Sequence, residues 1–307
     1  VTLECNDLDN ALAFFTGELD FRIETIFPAD APRVATLSAD GIHATLRKLD
    51  GDAEAVTAPA LIVTKPDERR FSPGRAGMQY RDLIPGRFGG RFIASHIRIP
   101  DGGPVPDYVH HHDIEFQLIF CVNGWVRVAY EDQGEPMVMR AGDCFLQPPH
   151  IRHRVLECSD AMEVVEITCP AEHETAVDHA LTLPTGSVDT DRTFGGQRFV
   201  FFRSAATDWR REDDGSEVKD TGIAAATDGI VSAELVRVRG EADLSHDGEL
   251  IFLYALAGNA TLQASDDYAI SRDVAIAIPP DTNAMLRKLS DDFEALRVSV
   301  PSPSSGR

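Results

Sequence analysis

The sequence predicts a mainly β fold, two tandem barrels preceded by a small α+β module. Three observations carry that expectation. An internal repeat relates residues from about 78 to 170 to residues 216–301. Short strands separated by Gly, Pro and Asp turns recur from residue 78 onward. The first 50 residues read instead as a strand, a helix and three strands.

The 307 residues suffice for two ordinary domains and an extra module, and a hydrophobic fraction of 43% supports packed cores. With 29 basic against 50 acidic residues the net charge is −21, which repels nucleic acid and anionic membranes. The acidic residues are scattered, as on a highly soluble surface. No apolar run is long enough for a membrane helix. Cys5, Cys121, Cys144, Cys158 and Cys169 form no CxxC pair, and several sit among apolar neighbours. They read as buried reduced thiols, which points to a cytoplasmic location. Val1-Thr2-Leu3-Glu4 has neither the basic nor the apolar region of a leader, and the absence of an initiator Met leaves the natural start open.

In the module, residues 1–50, Asp7 is the expected helix N-cap, with Leu8, Ala11, Leu12, Phe15 and Leu19 at helical spacing. Phe21 to Ile26, Arg33 to Leu37 and His43 to Leu46 are the expected strands. A single such sheet has a bare face and must pack on a partner chain or on the rest of this one. Residues 51–77 read as a linker, apart from a strand at Ala60-Leu61-Ile62-Val63. Residues 78–175 form the first barrel, 176–215 an inter-barrel segment and 216–301 the second barrel, with 302–307 as a tail. Glu172 to Leu181 is the one place between the barrels where a helical turn is expected. The repeat is visible in Arg81-Asp82 against Lys219-Asp220, an offset of 138. His112 to Gly124 against His246 to Gly258, and Pro148-Pro149 against Pro279-Pro280, continue it.

The chemistry concentrates at His110-His111-His112, Gln117, Gly124, Gly142-Asp143, Pro148 and His153. Strand residues two apart share a face, so His110 and His112 point one way and His111 the other. Two imidazoles on one face, closed by a third, reach a single divalent cation at about 2.0–2.2 Å. In the second copy Leu244, Ile251 and Ala284 stand where His110, Gln117 and His153 do, and only His246 survives. That barrel is expected to be scaffold or interface.

These motifs resemble the cupin superfamily, and the whole chain resembles a bicupin. The resemblance implies jelly-roll barrels and one divalent transition metal per chain, held by His110, His112 and His153 with Gln117 in the position usually taken by Glu. Gln117 can ligate through oxygen, hydrogen-bond a metal-bound water or swing away. Three neutral imidazoles and a neutral Gln leave the cation its full charge and open positions for substrate or O₂. Fe(II) is favoured, with Mn, Ni, Cu or Zn as alternatives. Asp7 to Phe15 followed by Gly17 to Phe21 resembles one half-module of the glyoxalase/vicinal-oxygen-chelate family, here without its metal ligands because Arg47 stands at the last-strand position. It is expected to serve structure or dimerisation, so a homodimer is anticipated.

The catalytic candidates are His96 as an acid or base, Arg98 as a carboxylate clamp, and Glu166 or its neighbour Glu163 as an inward carboxylate. Tyr108, Phe116 and Trp125 are candidate pocket walls. Gly86 to Gly90 precedes no helix and reads as a turn, not a phosphate cradle. Three functions follow: a dioxygenase-type enzyme acting on a small oxygenated molecule, a redox-neutral isomerase, lyase or hydrolase, or a non-enzymatic small-molecule binder.

Overall fold

A computed structural model describes residues 1–49, 55–68, 70–73 and 77–302. Residue 50 of the expected module, parts of the expected linker (51–54, 69, 74–76) and part of the tail (303–307) lie outside the described residues. The N-terminal module has the expected βαβββ order: Thr2–Cys5, helix Leu8–Glu18, then Arg22–Phe27, Val34–Ala39 and Ile42–Lys48. The Asp7 side chain accepts a hydrogen bond from the Asn10 amide at 3.0 Å, satisfying one of the unpaired donors at the helix start. Leu8, Ala11, Leu12 and Phe15 pack against Ala35, Leu37, Ala44 and Leu46. Leu19 lies past the helix end and is exposed.

The first barrel is built from two sheets. In one, Arg22–Phe27 of the module pairs with Thr175–Val177, which pairs with His110–His112, followed by His153–Cys158, Trp125–Tyr130 and Met137–Arg140. The module sheet therefore continues into the barrel wall through its edge strand. The other sheet runs Val200–Phe202, Cys144–Gln147, Phe116–Asn123, Met162–Cys169, Ile93–Ile99, Gln79–Asp82 and Ser72–Pro73. The helical turn expected over Glu172 to Leu181 is replaced by the strand Thr175–Val177, because that segment fills the gap between two sheet edges. Unpaired backbone on both sides outweighs a weak local helical preference.

The second barrel repeats the pattern with Glu217–Asp220, Ser232–Arg237, Leu250–Ala257, Ala275–Ile278 and Glu294–Val300. The barrels exchange strands. Ile62–Thr64, from the expected linker, joins Ala275–Ile278 of the second barrel. Val200–Phe202, from the expected inter-barrel segment, joins Cys144–Gln147 of the first. Both segments are thus parts of barrels and not simple connections.

Alternation along Phe116–Asn123 explains how the barrels meet. Phe116, Leu118 and Phe120 point outward into a core shared with Phe252, Tyr254, Leu296 and Val298 of the second barrel. Gln117, Ile119 and Cys121 point into the first barrel. Each fully buried Phe contributes on the order of 1.5–3 kcal/mol of transfer free energy. Phe116 is therefore an interface residue and not a pocket wall.

Candidate metal centre

The strand His110–His112 buries its two outer residues and leaves the middle one half-exposed. His111 turns to His150, with ring centroids 5.5 Å apart. Burial and nearby Arg152 lower the His111 pKa. His110 lies directly across the ladder from His153. His110, His112 and His153 each place a ring nitrogen within 4.8 Å of the other two, the one group of three or more potential ligands among the described residues.

Backbone and hydroxyl partners orient all three rings. The Nδ1 of His110 lies 2.8 Å from the Tyr108 carbonyl, and that of His153 lies 3.1 Å from the Ile151 carbonyl. The Nδ1 of His112 lies 2.9 Å from the Thr175 hydroxyl. A carbonyl accepts only, so His110 and His153 carry their proton on Nδ1 and keep Nε2 as a lone pair for an ion. This donor set fits a divalent transition metal. Three neutral imidazoles, buried and held from behind, are the ligand type such cations favour.

Gln117 reaches the same cavity, but its Oε1 accepts a hydrogen bond from the Nε2 of Gln147. Gln147 is buried, accepts from the Tyr130 hydroxyl and places Nε2 3.4 Å from the Nε2 of His153. Burial pushes the Tyr130 phenol pKa well above its usual value, so it is a donor throughout the working pH range. The chain Tyr130–Gln147–Gln117 thus holds Gln117 beside the triad.

The cavity below the imidazoles has a volume of about 90 Å³. Its deep walls are apolar, formed by Met78, Ile97, Val128, Met139, Phe145 and Val164. Glu166 lines it as well, whereas Glu163 lies on the opposite face of the same strand.

His96 and Arg98 are not brought to the triad. Ile93 and Ile97 of their strand line the cavity, so by alternation His96 and Arg98 face away. His96 contacts Arg81 at 2.9 Å, Glu163 at 3.1 Å and Tyr254 of the second barrel at 3.3 Å. Arg98 donates to Gln79 at 2.7 Å and lies 3.9 Å from the Phe71 ring centroid. Tyr108 sits edge-on to His110, and Trp125 does not line the cavity. In the second barrel, Leu244 and Ala284 are buried in an apolar core with Ile251 packed on it. His246 donates from Nε2 to the Ile278 carbonyl.

Four contributors escaped the sequence reading. Gln147 and Tyr130 were recoverable from strand pairing, since Gln147 lies opposite Gln117 and Tyr130 opposite His153. Asp30 and His173 line the cavity from distant parts of the chain, and no local spacing marks them.

Residues 95–168 match the cupin domain family. A comparison with curated proteins found no match. Among solved structures, the chain is similar to the protein Ylba from E. coli (TM-score 0.60, 8% identity, covering 83% of this chain and 97% of that one). It is also similar to oxalate decarboxylase from Bacillus subtilis (TM-score 0.57, 12% identity, 81% and 78%). Oxalate decarboxylase from Lactobacillus farciminis, solved with formate, gives a TM-score of 0.57 at 14% identity, covering 82% of this chain and 89% of that one. At such identities the likeness concerns the fold. The matched region contains the triad and Gln117 but does not reach the N-terminal module. Residues 95–168, which match the cupin domain family, hold the three-histidine group, in a chain whose two-barrel fold is similar to that of those structures.

Proposed function

We propose that the protein is a metal-dependent enzyme acting on a small oxygenated organic molecule, with dioxygenase-type chemistry at one Fe(II) per chain. The observation that carries this reading is the buried imidazole triad on an apolar-walled cavity, with the Gln117 oxygen engaged by Gln147. A cation held there by His110, His112 and His153 would supply Lewis acidity and adjacent open positions for substrate and O₂. The chain's own contribution is orientation and exclusion of water. Tyr108, Thr175 and Ile151 hold the rings, and the apolar walls leave room for only a small ligand.

One observation favours a second, redox-neutral reading. Glu166 lines the cavity, where a carboxylate can accept or return a proton at a substrate carbon or oxygen. Mn or Zn would then serve as well as Fe. Among the similar structures, an oxalate decarboxylase from Bacillus subtilis is described with Mn(II) centres.

Metal analysis of chelator-free protein, followed by O₂ uptake with diketones, catechols and keto acids, separates the two. Stoichiometric Fe with substrate-dependent O₂ uptake supports the first. Turnover without O₂, lost in Glu166→Gln, supports the second. No metal in any preparation or reconstitution sinks both and leaves a ligand-binding barrel.

We also propose a cytoplasmic homodimer joined through the N-terminal module. Val1, Leu3, Phe14, Leu19, Ile42 and Leu49 of that module are exposed, six of the eight large exposed apolar residues among those described. Light scattering at one chain mass would overturn the dimer.

A further inference from the structure

The loop 28–33, between two strands of the N-terminal module, lies over the mouth of the first barrel. Asp30 and Ala29 line the metal cavity beside His173. The loop is pinned on three sides. The Ala29 amide donates to the His173 carbonyl at 3.1 Å, Arg33 pairs with Glu172 at 2.8 Å, and Asp30 Oδ2 pairs with Arg87 at 2.6 Å. A segment outside the cupin domain thus contributes a charged residue to the cavity.

Two polar atoms at this mouth are buried without a hydrogen-bond partner, Oδ1 of Asp30 and Nε2 of His173. His173 is 4% exposed, and its ring lies 5.4 Å from that of His112. Its Nδ1 lies 3.2 Å from the Pro170 carbonyl, an acceptor, so the proton sits on Nδ1 and Nε2 presents a lone pair. Asp30, ion-paired to Arg87, is a carboxylate and accepts only. Buried polar atoms left unpaired are costly, at about 1–3 kcal/mol each, so a pair of them lining one cavity calls for a partner.

We propose that Asp30 and His173 are the specificity-determining end of the cavity, an acceptor pair that takes a substrate bearing a hydroxyl or amino group next to its metal-seeking oxygen. A 2-hydroxy or 2-amino acid meets this requirement. A molecule with acceptors only, such as oxalate, sets its oxygens against the Asp30 carboxylate and the His173 lone pair. The inference rests on the metal-centre reading for the anchored end of the ligand alone.

Calorimetric titration with glycolate, acetate and oxalate, on metal-reconstituted and metal-free protein, tests this while metal content is scored separately. Glycolate should bind at least about tenfold more tightly than acetate, the scale of one hydrogen bond to a charged acceptor. Asp30→Asn, which keeps the side chain's shape, should bring the two within about twofold and strengthen oxalate, because an amide can donate. His173→Phe should reduce the glycolate preference with metal content unchanged. Equal binding of glycolate and acetate by the wild-type protein, as when solvent satisfies both atoms, overturns the inference. So does a preference that survives both variants. A glycolate preference in protein that takes up no metal, abolished by Asp30→Asn, would uphold the acceptor pair and sink the metal reading alone.

Discussion

At the residue scale, the triad is held by atoms that do not belong to it. Thr175 meets His112 from a strand sixty-three residues away. Thr175→Val is expected to lower metal affinity about tenfold without unfolding the protein, since the groups that orient a ligating imidazole carry effects of that size. His112→Ala and His153→Ala should abolish stoichiometric binding, whereas Gln117→Ala should retain it; equilibrium dialysis followed by metal analysis checks all four. Away from the triad, Glu163 is held below the usual carboxylate range, chiefly by its hydrogen bond to His96 and against the opposing effect of burial. A carboxylate whose folded pKa is depressed contributes stability that is present above its unfolded pKa of about 4.3 and lost as pH falls through the lower folded value. Glu163→Gln should therefore flatten the fall in melting temperature below about pH 4.5 and leave its neutral-pH slope unchanged. An unchanged acid limb would show that this pair does not couple folding to protons.

At the element scale, Thr175–Val177 is the short strand on which the architecture turns. It pairs with the histidine strand on one side and with the module on the other. Ala176→Pro removes a ladder donor from a strand paired on both edges, where proline is not tolerated. We expect a loss of at least about 1–3 kcal/mol, and with it weakened metal binding, because Thr175 and the loop over the cavity move together. Denaturant unfolding monitored beside metal content checks this; an unchanged midpoint would mean that the module is only loosely attached. Arg91 links the barrels at their rim, bonded to Glu115 and Glu249, and holds the Glu115 pKa down. Arg91 and Glu115 are well exposed, so solvent screens their pair and the shared apolar core dominates the union.

For the whole molecule, that shared core makes two barrels one cooperative unit. Phe252 of the second barrel is fully buried among Phe116, Phe120 and other side chains of the first. Phe252→Ala should cost about 3–5 kcal/mol and lower a single calorimetric transition. Two separated transitions in the wild-type protein would contradict it. The exchanged strands Ile62–Thr64 and Val200–Phe202 act in the same sense, since neither barrel closes its sheet without a segment that lies beyond it in sequence. The buried thiols follow from this packing. Burial raises the Cys121 pKa to about 12 and that of Cys144 higher still, which keeps both inert.

The sequence by itself determined what depends on local spacing. The period of two in His110–His112 placed two imidazoles on one face, the 138-residue offset announced the second barrel, and Asp7 with its apolar stripe announced the helix. Tertiary structure alone decided what depends on which strands become neighbours. Alternation told us that His96 and Arg98 share a face, but only the packing of the barrels turned that face toward Arg81 and Tyr254. It also selected Glu166 over Glu163, drew Thr175–Val177 into a strand, and carried Asp30 from the N-terminal module to the mouth of the first barrel. Side-chain direction along a strand is a local property of the backbone. Which side of a sheet becomes an interior is set by burial across the whole chain, and no window of sequence contains that information.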